Sequence, residues 1–269
     1  MALIAMVSAK GSPGVTTTAL ACTLSWGGRT VLAECDPAGG SILSGYLSSL
    51  DIPPIGLLPL AAAALRDQLG DVFPRQLVDL DAGHPGRRIL LPGINDPVQA
   101  GTIRPTWEPL AAFFSDLERG EDGYDVIADC GRLTTSAPPW PLLFRADLVL
   151  LVVRTAILRT IAPAVAAAEL LRRELTQHGQ GRDGVALALI GDGPYGRRDI
   201  EQRLQLPTLM ELPDDRRTAE VLSDGDGRLR GSQQLLRAAA SAEPAVREAI
   251  ARRRAHLLPT SSTGSSHAR

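Results

Sequence analysis

Leu3-Ile4-Ala5-Met6-Val7-Ser8-Ala9-Lys10-Gly11-Ser12-Pro13-Gly14-Val15-Thr16-Thr17 is the stretch that decides the fold. An apolar run ends in a glycine-bearing turn, and helical periodicity starts at Val15. The turn suits an anion. Glycines allow close backbone approach, the N–H groups at a helix start point outward, and the helix dipole adds roughly half a positive charge there. Gly11, Ser12, Gly14, Val15, Thr16 and Thr17 are the binding candidates. Thr16 stands where a phosphate-loop Ser or Thr reaches Mg²⁺ through its hydroxyl. The usual Gly-Lys-Ser/Thr is Gly14-Val15-Thr16 here, so the point charge that meets the β- and γ-phosphates is missing. Pro13 has no N–H to offer. A tight strand-to-helix turn without a ligand is the plain structural alternative.

Outward from this turn, short apolar runs alternate with helical patterns, which is the signature of βαβ units. Strands are expected at Leu3–Ser8, Thr30–Cys35, Arg88–Leu91, Asp125–Asp129, Asp147–Val153, Val185–Ile190 and Thr208–Glu211. Helices are expected at Val15–Trp26, Thr106–Glu118, Ile157–His178, Arg197–Leu204 and Asp215–Leu222. Leu148 to Val153 is apolar without alternation, so it reads as a central strand covered on both faces. The fold class is therefore α/β, a doubly wound, mostly parallel sheet with helices on both faces. One domain is expected over 1–258, followed by a flexible Ser/Thr/Gly tail at 259–269. Residues 41–86 are rich in Pro, Gly and Ala, with short helical pieces.

At 269 residues and 44% hydrophobic, the chain has ample apolar material for such a core. A net charge of -2 argues against coating nucleic acid through overall basicity. Cys22, Cys35 and Cys130 are odd in number and lack metal-ligand spacing, which points to a reducing cytoplasm. Met1 to Val7 has no basic leader and is far shorter than a membrane span, so it reads as a strand. Lys10 is the sole lysine among 28 basic residues, and its place inside the loop points to a retained chemical requirement, a surface lysine left over being the plain alternative.

The order lysine, glycine, small residue, any residue, glycine, one position, Thr-Thr resembles the deviant Walker A loop of the ParA/MinD family of positioning ATPases. Three further segments agree in order. Glu34-Cys35-Asp36-Pro37 resembles the family's Asp-x-Asp-Pro after the second strand, with Glu34 in place of the first aspartate. Tyr124 to Gly131 resembles its Walker B strand, one residue shorter, ending in Asp129. Leu212-Pro213-Asp214-Asp215 is similar to the proline-acidic segment that lies against the base, and Gly191-Asp192 stand where an adenine-reading asparagine often sits. The resemblance covers Ala2 to about Leu222, and CpaE/TadZ-like relatives share such eroded loops.

The resemblance implies roles for these residues. Lys10 would be the signature lysine that reaches across a face-to-face homodimer to the partner's phosphates. Asp36 would position water or Mg²⁺, and Thr16 and Asp129 would hold the metal. Pro213 and Asp214 would lie by the base, and the cofactor would be ATP or ADP with Mg²⁺. Loss of the neighbouring lysine removes a charge-assisted contact of about 1.5 to 3 kcal/mol, a roughly ten- to hundredfold penalty. The expected function is a nucleotide-responsive dimer with weak or no hydrolysis. It would position or partition a chromosome or plasmid, a septum, or pilus or secretion machinery through a protein partner. A pseudo-ATPase scaffold is the alternative, and a metabolic P-loop enzyme has no pocket motif to support it.

The remaining chemistry-bearing residues have plain readings. Cys35 and Cys130 adjoin site aspartates, yet small buried cysteines are common. His84, His178, His256 and His267 have no metal spacing. Arg247, Arg252, Arg253 and Arg254, in the segment from Glu243 to Leu258, suggest a solvated terminal helix or one that lies on an anionic membrane or nucleic acid. Arg216, Arg217, Arg228 and Arg230 are candidates for a DNA-contacting patch that would recruit the protein to the nucleoid.

Overall fold

The computed structural model describes residues 2–10, 13–117, 123–135, 137–155, 158–225 and 233–257. Strands β1 (Leu3–Ser8), β2 (Thr30–Glu34), β3 (Val78–Asp79), β4 (Arg88–Leu91), β5 (Asp125–Arg132), β6 (Leu148–Arg154), β7 (Val185–Ile190) and β8 (Thr208–Leu212) form one sheet. Their order is β3-β4-β2-β5-β1-β6-β7-β8, parallel except for the two-residue edge strand β3. β3 escaped the sequence reading because two residues carry no periodicity. The other strands fall within a few residues of expectation, β5 running past Asp129 to Arg132.

The helices are α1 (Val15–Ser25), α2 (Leu57–Ala64), α3 (Leu69–Val72), α4 (Ala100–Ile103), α5 (Trp107–Asp116), α6 (Trp140–Arg145), α7 (Leu158–Gln177), α8 (Arg197–Leu204), α9 (Arg216–Asp224) and α10 (Gln234–Leu257). They cover both faces of the sheet because strand side chains alternate. Leu3, Ala5 and Val7 of β1 pack toward α2, α5, α6, α7 and α8. Ile4 and Met6 face the opposite layer of α1, α9 and α10. β1 lies between β5 and β6, where the chain's direction of travel across the sheet reverses, and in open α/β sheets the ligand crevice lies at that switch point.

The end of the chain departs from expectation. α10 begins well before Glu243, and Leu235, Ala239, Ala242, Val246 and Ile250 form a buried stripe at helical spacing. Small alanines let the helix approach α1 closely, and the fully buried Trp26 donates its indole N–H to the carbonyl of Ala239 at 3.0 Å. The arginines are engaged at the amino edge of the sheet. Arg247 pairs with Asp125 and Glu243 at 2.7 Å each, and Arg254 with Asp147 at 2.8 Å. Arg253, only 5% exposed, donates to the carbonyls of Ala146, Asp147 and Gln180. Arg252 alone of the four stays on the solvent face, beside Glu248. The helix packs one face on the layer below and leaves the other in solvent, as the solvated reading expects, while Arg247, Arg253 and Arg254 direct their charges to partners within the fold. The expected tail, His267 and Leu258 lie outside the described residues.

Trp26→Ala removes both the buried ring and the Ala239 bond. Urea unfolding is expected to show a loss of about 3 to 5 kcal/mol with little change in slope.

Candidate functional site

The site begins where β1 ends. Gly14 caps α1 with φ 102°, a left-handed conformation that favours glycine. The first intrahelical bond runs from the Thr18 N–H to the Gly14 carbonyl at 2.9 Å, so the N–H groups of Val15, Thr16 and Thr17 precede it and have no helical acceptor. Val15 is 6% exposed, and its side chain packs in the layer that includes Ala19, Ile190 and Leu222. That position can offer an anion its backbone N–H alone. Lys10 is exposed, whereas Gly11 and Ser12 lie outside the described residues.

Two carboxylates from neighbouring strand ends meet the loop. Thr16 donates its hydroxyl to Asp129 Oδ2 at 2.5 Å, and the Gly131 N–H donates to Asp129 Oδ1 at 3.0 Å. Burial, reinforced by Glu34 and Asp36, pushes the Asp129 carboxyl up to about 7 despite these two donors. Asp36 follows β2 and accepts the Ala38 N–H at 2.8 Å through Oδ1. Burial raises its carboxyl, while the Ala38 N–H and the charge of Arg132 pull it down. Gly131 makes this approach feasible: a Cβ there would lie 2.0 Å from Asp36 Cγ, and its φ is +64°.

Glu34, which stands in place of the motif's first aspartate, bonds to backbone N–H groups of two other loops. It is buried, and accepts N–H bonds from Ser41 at 2.7 Å, Ile42 at 3.0 Å and Gly93 at 3.2 Å. Its carboxylate ties the loop after β2 to the loop after β4. Burial outweighs these donors and pushes it above the ordinary carboxylate range.

A cleft of about 630 Å³ opens over Gly14, Thr16, Thr17 and Asp36. Ser41 and Ile42 form one wall and Ala219 to Asp224 of α9 another, and Arg132 and Arg154 also reach it. The two walls touch: a Cβ on Gly45 would lie 1.9 Å from the Ser223 carbonyl. Beyond the end of β6 lies a second hollow of about 390 Å³, lined by Thr155, Gly191, Asp192 and Pro213 among others. Thr155 orders its rim by donating to the Gly191 carbonyl at 2.5 Å and accepting the Gly193 N–H at 2.9 Å. Pro213 and Asp214 therefore part company. Pro213 faces this hollow, while Asp214 pairs with Arg154 at 3.2 Å.

The sequence reading missed Arg132, Arg154 and the α9 wall. Position at a strand's carboxyl end was the available signal for the two arginines. The cysteines are fully buried and free, and burial raises their thiols far from thiolate formation, so they belong to the core. Arg216 and Arg217 are exposed, and Arg228 and Arg230 lie outside the described residues. No group of three or more His, Cys, Asp or Glu suited to a metal occurs among the described residues. Thr16 and Asp129 form a hard oxygen pair instead, a donor set that fits Mg²⁺ shared with phosphates.

A glycine-bearing loop between a central strand and a helix, with strand-end carboxylates around it, defines a doubly wound phosphate-loop fold. Solved structures agree, and the chain has the fold of the ParA/MinD ATPases. A ParA family ATPase from Chlorobium tepidum superposes with a TM-score of 0.66 at 14% identity, covering 91% of this chain and 97% of that one. The septum site-determining protein MinD from Pyrococcus horikoshii, solved with Mg-ADP, gives 0.63 at 16% identity over 91% and 97%. The ATP complex of Cyanothece McdA gives 0.61 at 17% identity over 93% and 96%. No protein-family model and no curated protein matches the sequence.

The raised Asp129 carboxyl carries a stability signature. A buried acid with an elevated folded value binds its proton more tightly in the folded state, so its stabilisation is complete below the unfolded value and is lost as pH rises through about 7. Asp129→Asn removes this titration. In metal-free buffer the unfolding free energy of Asp129→Asn relative to wild type is expected to rise from about pH 4 to about pH 8, by on the order of a few kcal/mol. A flat difference across that range would overturn the assignment.

Proposed function

We propose that the chain is a ParA/MinD-like, nucleotide-responsive dimerising protein that positions or partitions a cellular cargo, with slow or no ATP hydrolysis. The carrying observation is the meeting of the α1 start, Thr16 and Asp129 at the carboxyl end of the central strand. The N–H groups of Val15, Thr16 and Thr17 would cradle the phosphates of ATP or ADP, with the α1 dipole behind them. Thr16 and Asp129 would hold Mg²⁺, which when bound neutralises phosphate charge. Asp36 would orient water or the metal's water shell from the other side of the cleft. The hollow beside Pro213 is the natural place for the base, since it adjoins the cleft across Arg154 and Thr155. The solved MinD and McdA neighbours hold Mg-ADP and ATP, which supports this reading.

Slow turnover follows from Val15. Hydrolysis needs a positive charge where negative charge builds up on the phosphates, and an apolar side chain packed beneath the loop gives none. Lys10, exposed beside the loop, would serve a partner's nucleotide in a homodimer. The cargo would be a chromosome or plasmid, a septum, or pilus or secretion machinery, reached through a protein partner. A contact with DNA or a membrane would have to rest on surfaces such as Arg216 and Arg217, because most of the α10 arginines are held within the fold. The same buried Val15 favours a second reading, a nucleotide-independent scaffold or adaptor.

Calorimetric titration with ATP and Mg²⁺, with oligomeric state followed by sedimentation, separates the two. Binding with dimer formation is expected, and Lys10→Ala should weaken the dimer more than monomer binding. No binding favours the scaffold. Hydrolysis as fast as in ordinary positioning ATPases, abolished by Lys10→Ala or Asp36→Ala, would sink the slow-turnover idea. Thr16→Val should lower Mg-nucleotide affinity roughly tenfold while leaving the far-ultraviolet circular dichroism unchanged.

A further inference from the structure

The lysine-less cleft contains a cation that comes from a different strand. The register between β1 and β5 shifts: Met6 pairs with Asp129 and Ser8 with Arg132, so Val7 alone lies opposite Cys130 and Gly131. Such a bulge adds a residue to one strand and re-aims the side chains that follow it, and bulges gather beside binding sites. Three further contacts hold it in place. The Gly131 N–H donates to Asp129, the Leu133 N–H donates to the Ser8 carbonyl at 2.9 Å, and Asp36 packs against Gly131 where a Cβ would clash. Arg132 is thereby presented on the cleft wall, together with Gly14, Thr16 and Thr17 of the phosphate loop.

The charges around it sharpen the point. Asp36 and Asp224 line the same cleft, and an unrelieved acidic wall would repel a polyphosphate. Arg154 is already paired with Asp214. The Arg132 guanidinium has no hydrogen-bond or ion-pair partner among the described residues, and its influence on the Asp36 carboxyl agrees with its place on the same cleft wall. A guanidinium has several donors in a planar fork that suits phosphate oxygens, and it keeps its charge when partly buried.

We propose that Arg132, presented by the β5 bulge, is a phosphate-binding residue that supplies from the β5 end the positive charge Val15 cannot supply. The assignment rests on the nucleotide reading above and identifies how the polyphosphate is held. It takes nothing from Lys10, which serves the opposite protomer in that reading.

The test compares wild type with Arg132→Gln, Arg132→Lys and the remote surface variant Arg173→Gln, each titrated with ATP and with ADP in the presence of Mg²⁺. Thermal melts run alongside show that each variant is folded. Arg132→Gln is expected to lose roughly ten- to hundredfold in affinity for ATP. Arg132→Lys should recover most of that loss, and Arg173→Gln should bind as wild type does. Wild-type affinity in Arg132→Gln overturns the assignment and leaves nucleotide binding standing. A loss that Arg132→Lys does not recover, or that Arg173→Gln shares, also overturns it. Wild type that binds neither nucleotide overturns the nucleotide reading, and this assignment with it. Should Arg132→Gln melt early, Arg132→Lys decides: it folds with the charge retained, and an affinity as low as that of the damaged variant rejects a role for charge.

Discussion

The site depends on the satisfaction of one buried carboxylate. Asp129 is 2% exposed, so its two oxygens need donors from the chain, and they find the Thr16 hydroxyl and the Gly131 N–H. Those donors sit on separate segments, one at the start of α1 and one at the end of β5. Meeting both locks the helix start to the neighbouring strand end. Gly131 must then turn left-handed, and that turn opens the space that Asp36 enters. The loop after β1, the loop after β2 and the bulge in β5 are thus geometrically interdependent through one acid.

The two edges of the sheet are built on different chemistry. At the amino edge, arginines of α10 meet Asp125 and Asp147, and Arg253 donates to the carbonyls of Ala146, Asp147 and Gln180. That edge is closed by complementary charge. At the carboxyl edge, like charges are gathered: burial raises the proton affinity of Glu34, Asp36 and Asp129, Asp36 adds to that of the other two, and Glu34 adds to that of Asp129. A fold tolerates such crowding where a cation or a proton relieves it. Arginine density in this chain is therefore a poor guide to binding surface, since much of it at the C-terminus secures a helix.

How much of this could be read from the sequence follows from the range of each signal. Short, largely apolar runs bounded by turn residues placed β1, β4 and β7 to the residue. The loop, Thr16 and Asp129 were legible because strand-end geometry forces them together in any parallel sheet. The partners of Glu34 were not legible, since a motif position does not say which backbone N–H groups a side chain will find. The partners of the α10 cations were hidden for the same reason: the carboxylates lie more than a hundred residues away in the chain. Arg132 offered only its place at a strand's carboxyl end, because a bulge is a register property of two strands and leaves no mark in one.

Val15 has a consequence for the chain's tolerance of change. Its side chain is part of the apolar layer beneath the loop, so a lysine at this position would forfeit burial of roughly 1.5 to 3 kcal/mol. Neighbours such as Ile190 and Leu222 would have to change with it. Val15 is held by its own packing, so a new charge is accommodated more readily around the rim of the cleft than at its centre.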